Sequence, residues 1–128
     1  MTVYILLITH ENIGAALLNA VAKTYGHLPL PAEAIAITYQ TNPEELLPQL
    51  ERHIHELHAH EGILILTDLF GSTPSNIASK LCCKESVRIV AGLNLPMLIR
   101  VMNYPTCNLQ ELANKALSGG HDGVLDVA

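Results

Sequence analysis

Tryptophan is absent from this sequence and phenylalanine occurs once, at position 70, so the core must be built from Leu, Ile, Val and Ala. Basic residues are also scarce. Seven Lys and Arg against twelve Asp and Glu leave a formal charge of −5 with no basic cluster. That balance argues against binding nucleic acid through its phosphate backbone. Nor is there a long hydrophobic run. The apolar segment 3–8 is too short for a signal or a membrane span and has no basic flank, so neither a targeting segment nor a membrane-embedded chain is expected. Cysteine appears three times, at positions 82, 83 and 107. An odd count with two adjacent members makes a poor disulfide framework, and no second pair suggests a zinc site. Reduced thiols in a cytoplasmic protein are the expectation.

What is present fits one globular domain covering residues 1–128: 49% of the residues are apolar and 15% charged, enough to bury one core. Short apolar runs alternate with helical patterns. Residues 3–9 are almost continuously apolar, as in a strand buried on both faces. In residues 12–25, Ile13, Ala16, Leu17, Ala20 and Val21 form a helical stripe. A Pro- and Gly-containing loop leads to a weaker strand at 34–38. Asn42-Pro43 opens a second helix with stripe Leu46, Leu47, Leu50, Ile54 and Leu57, in which Pro48 should kink or delay the regular turns. Gly62 ends it, and residues 62–67 are the clearest strand.

Thr73-Pro74 repeats the cap-then-proline pattern and opens a helix to about residue 83. A strand at 87–91, a short helix after Pro96 and a helix near 109–117 follow. Gly119-Gly120 would stop the last helix, leaving His121 and Asp122 in a turn and 124–127 as a candidate edge strand. Strand–helix alternation with nearly continuous apolar strands predicts an α/β fold. The expected form is a single doubly wound domain whose mainly parallel sheet is covered by helices on both faces.

In such sheets, ligands bind beyond the carboxyl ends of the strands, where strand order reverses. That points to Thr9, His10 and Glu11 after the first strand, residues 68–73 after the third and 92–96 after the fourth. If the first and third strands are neighbours, His10 and Asp68 face each other. A carboxylate that accepts one ring N–H fixes the imidazole tautomer and leaves the other nitrogen as a nucleophile. Gly71, Ser72, Thr73 and the following helix start could supply donors to a phosphoryl group. The alternative is that these are ordinary loop residues and a helix cap.

Three segments carry a resemblance. Ile8-Thr9-His10 precedes Ala16-Leu17-Leu18. Asp68-Leu69-Phe70-Gly71 is followed by Thr73-Pro74 and Asn76. Residues 91–98 read Ala-Gly-Leu-Asn-Leu-Pro-Met-Leu. Together they resemble the mannose-family IIA domains of the bacterial phosphotransferase system. The resemblance implies that His10 is phosphorylated, that Asp68 orients it and that Thr73 binds the phosphoryl group. It further implies HPr, charged by Enzyme I from phosphoenolpyruvate, as donor and a IIB component as acceptor during sugar uptake at the periphery of a membrane permease. A homodimer that exchanges a late strand between subunits is implied as well. No metal or organic cofactor is. Two departures stand out: Ser72 where the family typically has a second glycine, and Ser75 where it commonly has Phe. With the sequence ending at Ala128, no IIB domain is expected within it. A regulatory protein whose His10 phosphorylation state is read by a partner is the alternative.

Histidines 53, 55, 58 and 60 fall in or near the second helix, but no three share a face, which predicts a solvated, pH-sensitive surface instead of a metal site. Phe70, on the loop with Asp68, is expected to contact docking partners.

Overall fold

The structure, a computed structural model, describes residues 2–57, 60–81 and 86–128. Four parallel strands, β1 (Tyr4–His10), β2 (Ala32–Ile37), β3 (Ile63–Thr67) and β4 (Val87–Ala91), lie in the order β2-β1-β3-β4. Five helices follow or connect them: α1 (Ile13–Tyr25), α2 (Pro43–Glu56), α3 (Thr73–Leu81), α4 (Leu95–Met102) and α5 (Leu109–Asp122). The sheet is thus the doubly wound arrangement expected from the sequence.

The pleat divides the core in two. Ile5, Leu7, Leu64 and Leu66 point to one face and meet α1, α4 and α5 through Leu18, Val21, Leu98, Val101 and Leu112. Leu6, Ile8, Ile63 and Ile65 point to the other and meet Leu50 and Ile54 of α2 and Ile77, Ala78 and Leu81 of α3. Burial on both faces explains why β1 and β3 read as unbroken apolar runs. Among the described residues, no helix is long and apolar enough to cross a membrane.

Several local expectations are corrected. The stripe of α1 that faces the core is Gly14, Leu18 and Val21, while Ile13 and Ala16 are exposed. The cause is close approach: a Cβ on Gly14 would lie 3.2 Å from both Leu7 Cβ and Thr9 Oγ1, so the glycine lets the helix sit on β1. β2 begins two residues earlier than expected, at Ala32. Pro48 is accommodated inside α2, on its exposed side and in its second turn; α2 ends at Glu56, before Gly62. Gly119 and Gly120 do not stop α5 but lie buried within it against α4, which places His121 and Asp122 in its last turn. Residues 124–127 form no strand; Val124, Leu125 and Val127 are exposed. The expected continuation of the third helix to about residue 83, Cys82 and Cys83 with it, and His58 lie outside the described residues. Cys107 is a free, partly buried thiol.

Thr67, the last residue of β3, is fully buried, and its hydroxyl has no hydrogen-bond partner among the described residues. An unpaired buried hydroxyl costs about 1–3 kcal/mol. Thr67→Val keeps the shape and suits a strand, so it should raise stability by about 1 kcal/mol. Chemical denaturation checks this, and a lowered midpoint would show that the hydroxyl is satisfied after all.

Candidate functional site

β1 and β3 are hydrogen-bonded neighbours with Ile8 opposite Thr67, so their carboxyl ends finish side by side. His10 is the last residue of β1 and not a loop residue; it pairs with Ile37 of β2. Asp68 follows β3 directly. One carboxylate oxygen, Asp68 Oδ2, accepts the backbone N–H of His10 at 3.1 Å and lies 2.9 Å from its ring Nδ1. The other, Oδ1, accepts the Leu69 N–H at 3.1 Å. The pair is graded in exposure, with 41% of the His10 side chain accessible against 13% for Asp68.

Burial pushes the Asp68 pKa up, but the hydrogen bonds from the His10 ring and from the backbone, with the attraction of the imidazole, outweigh it. The carboxyl is therefore held below its ordinary value of 3.8. An ionised Asp68 can only accept, so Nδ1 carries the proton in this contact, and in the neutral imidazole Nε2 is the nitrogen with the free lone pair.

The turn after His10 is held tightly. Glu11 has φ 46, the only positive value for a residue other than glycine among the described residues, and its N–H bonds to the Ile37 carbonyl at 3.0 Å. Such a conformation persists only where its surroundings impose it. On the other side, buried Thr9 accepts the Gly14 N–H through Oγ1 at 2.9 Å, which fastens the start of α1 beside the histidine.

The loop from Asp68 to Thr73 turns through Gly71, whose φ of 86 suits glycine. The Gly71 N–H is bound to Ser75 Oγ at 3.2 Å, and the Ser72 hydroxyl donates to the Leu69 carbonyl at 2.6 Å. Thr73 is exposed and opens α3. Of the three loop residues singled out in the sequence, Thr73 is the one that lines a cavity of about 580 Å³ together with His10. Glu11, Ile37, Thr38, Tyr39, Thr41 and Pro43 complete the lining. A slightly larger groove between α2 and α3 is lined by none of these residues. Tyr39 and Thr41 were missed by sequence reasoning. The signal was available: a strand beside β1 must end at the same edge, so the residues after β2 belong to the site as much as those after β3.

Apolar side chains fringe the site. Phe70 is 82% exposed and Tyr39 fully so; Leu69, next to Asp68, and Ile13, the first residue of α1, are exposed as well. The histidines in and after the second helix do other work. His53 pairs with Glu33 of β2, and the His60 ring lies 5.1 Å from that of Tyr4. Partial burial pushes the Tyr4 phenol up to about 12, helped by the charge of Glu33 and a hydrogen bond to it. These contacts tie the α2 side of the molecule to the sheet. No group of three or more His, Cys, Asp or Glu able to hold a metal occurs among the described residues.

The chain as a whole has relatives among known proteins. Residues 4–117 match the EIIA-man family, described as "PTS system fructose IIA component". Over 86 residues the chain is 31% identical to the PTS system mannose-specific EIIAB component of Escherichia coli (strain K12); the match covers 65% of this chain and 27% of that protein, about a quarter of its length. Over 98 residues it is 34% identical to the PTS system sorbose-specific EIIA component of Lacticaseibacillus casei, covering 76% of this chain and 70% of that protein. The solved mannose/sorbose specific IIA subunit of the phosphotransferase system from Enterococcus faecalis superposes with a TM-score of 0.88 at 27% identity, over 100% of this chain and 96% of that one. The chain belongs to the EIIA-man family of phosphotransferase-system IIA components.

Proposed function

We propose that this chain is a phosphoryl carrier of a sugar phosphotransferase system, taking phosphate from phospho-HPr onto His10 and passing it to a IIB component. The observation that carries this reading is the 2.9 Å contact between His10 Nδ1 and Asp68, which leaves Nε2 as the free nucleophile. In the transfer, the Nε2 lone pair attacks phosphorus in line, and the P–N bond of the donor breaks with its electrons returning to the donor imidazole. No proton need move. The phosphorylated ring keeps its Nδ1–H and becomes cationic, and ionised Asp68 neutralises it. Passing the group to IIB is the same step with the roles reversed.

The exposed Thr73 hydroxyl and the N–H groups at the start of α3 are the donors available for the equatorial oxygens, with Gly71 and Ser72 shaping the loop that presents them. Phe70, with Tyr39, Leu69 and Ile13, offers apolar contacts to both protein partners. The sugar-specific systems named for its relatives favour transport over a purely regulatory role. A homodimer is part of the proposal: β4 is an edge strand, and the exposed residues 124–127 would bury Val124, Leu125 and Val127 by pairing with a second copy. One domain, residues 1–128, carries the activity.

The test is the intact mass after incubation with phosphoenolpyruvate, Enzyme I and HPr. A single acid-labile phosphoryl adduct is expected; no adduct, while a known IIA domain is labelled in parallel, would refute the reading.

Asp68→Asn keeps the shape but removes the charge that balances the phosphorylated ring. Transfer should slow about ten- to a hundredfold without vanishing. The acid limb follows from the lowered Asp68 pKa. A carboxyl with a depressed folded pKa contributes stability above its unfolded value and loses it as pH falls through the folded one. The difference in melting temperature between wild type and Asp68→Asn should therefore be present at neutral pH and shrink below about pH 4. Equal transfer rates in the two proteins would remove Asp68 from the mechanism.

A further inference from the structure

The loop tip at Phe70 and Gly71 has little to hold it. A Cβ at Gly71 would meet nothing within 4 Å, and Phe70 stands in solvent. The Leu69 N–H bonds to Asp68 Oδ1, and the Ser72 N–H and hydroxyl both bond to the Leu69 carbonyl. These bonds are internal to the loop; they set its shape without fixing its place over the helix. At its helix end the Ser72 carbonyl accepts the Asn76 N–H at 2.9 Å, as the start of α3 requires. At the tip, one further bond to the helix fixes it. Ser75, in the first turn of α3, is 3% exposed, and its Oγ accepts the Gly71 N–H at 3.2 Å. The anchor is itself rigid, because Ser75 lies among the buried positions Pro74, Ile77 and Ala78 of the same helix.

We propose that Ser75 is a positioning residue for phosphoryl transfer at His10. Its buried hydroxyl, through the Gly71 amide, holds the 69–73 segment in a single placement relative to the His10–Asp68 pair. The inference rests on the phosphocarrier reading. Ser75 touches neither His10 nor the cavity beside it, so its effect passes through the loop. A phenylalanine at this position, as the sequence resemblance would have it, offers no acceptor, so this chain fixes the loop by a means of its own.

The consequence is a split in the kinetics. Ser75→Ala removes the acceptor but leaves Phe70, Tyr39 and His10 on the surface. At saturating phospho-HPr the transfer rate constant should fall about five- to tenfold, since small misplacements of positioning groups are costly, while KM for phospho-HPr changes less than about twofold. Ser75→Thr retains a hydroxyl on the same carbon and should restore the rate to within about twofold of wild type.

The experiment measures single-turnover phosphorylation of wild type, Ser75→Ala and Ser75→Thr by phospho-HPr. It also measures hydrogen exchange at the Gly71 amide, which reads the bond without any phosphoryl chemistry. Faster Gly71 exchange and a lowered rate constant in Ser75→Ala, with recovery in Ser75→Thr, support the proposal. An unchanged rate constant or unchanged exchange in Ser75→Ala overturns it while leaving the carrier reading intact. Equal losses in both variants also overturn it, because packing and not the hydroxyl would then be responsible. Failure of wild type itself to accept phosphate overturns the carrier reading, and this inference with it.

Discussion

His10→Ala is expected to abolish phosphoryl labelling while the protein stays folded. The chemical half of this expectation follows from the lining of the cavity. Among the described residues, His10 is the only imidazole that lines it; the other groups are a carboxylate, hydroxyls, a phenol and apolar side chains, none of which accepts phosphate from phosphohistidine at a useful rate. Loss of a nucleophile is therefore not compensated locally, and the rate should drop by a factor of about 10⁴ or more, below detection by mass. The structural half follows from exposure. With 41% of the side chain accessible at a strand end, truncation removes little core contact. Asp68 keeps the backbone N–H of residue 10 and the Leu69 N–H as partners, so its carboxylate is not left unpaired. Stability should fall by about 1 kcal/mol. His27, His53, His55, His58, His60 and His121 remain in the variant and serve as internal controls. An adduct that persisted in His10→Ala would place the phosphorylated residue among them and refute the assignment. Unfolding of His10→Ala, judged by its melting curve, would refute the view that His10 is functional and not structural; His10→Gln, which can still accept or donate a hydrogen bond at this strand end, then distinguishes the two roles.

The parts of this site that were legible in the sequence were those governed by periodicity and topology. Unbroken apolar runs at 3–9 and 62–67 required burial on both faces, hence a parallel sheet, and hence a switch point near His10 and Asp68. The 2.9 Å contact between them is the realisation of that topology. What stayed hidden was governed by close contact. The core-facing stripe of α1 was misplaced because Gly14, with no side chain to register as apolar, is the residue nearest the sheet. The hydrogen bonds that occupy Ser72 and Gly71 depend on loop dihedrals that residue type constrains only at the glycine, so the sequence could offer Ser72 as a donor but not show that its hydroxyl is directed to Leu69. Tyr39 was hidden for a different reason: β2 is only partly buried, so its apolar pattern is weak and does not mark the loop that follows it.

The same distinction between local propensity and close contact makes the second large effect one of stability, at Gly119. Read by propensity, Gly119-Gly120 breaks a helix, and Gly119→Ala should then be neutral or stabilising by about 1 kcal/mol. Read by packing, the sign reverses. A Cβ at Gly119 would lie 2.5 Å from Arg100 Cβ and 2.9 Å from its Cγ, with the Pro96 carbonyl oxygen at 3.3 Å. The Arg100 Cβ cannot swing aside as a side-chain tip could, so α4 and α5 must move apart. Gly123, four residues on, faces Pro96 in the same way, so the contact is a seam between the helices and not a single point. Separation would also disturb Asn94, which caps α4 through the Met97 N–H and donates to the Gly120 carbonyl at 3.2 Å. Overpacking of this kind costs about 1–3 kcal/mol. Gly119→Ala, after its helix-propensity gain, should lose about 1 kcal/mol, and Gly119→Val, with two γ-carbons and a stiff χ1, about 3 kcal/mol. Ser118→Ala, on the exposed side of the same helix, should change stability by less than about 0.5 kcal/mol. Denaturant midpoints for the three variants decide the matter. The ordering Ser118→Ala, then Gly119→Ala, then Gly119→Val in increasing loss is the signature of a close helix seam, whereas a stabilised Gly119→Ala would mean that the glycines serve only to loosen the end of α5. Because the seam lies on the opposite face of the sheet from α3, the folded fraction of each variant should accept phosphate at His10 at the wild-type rate.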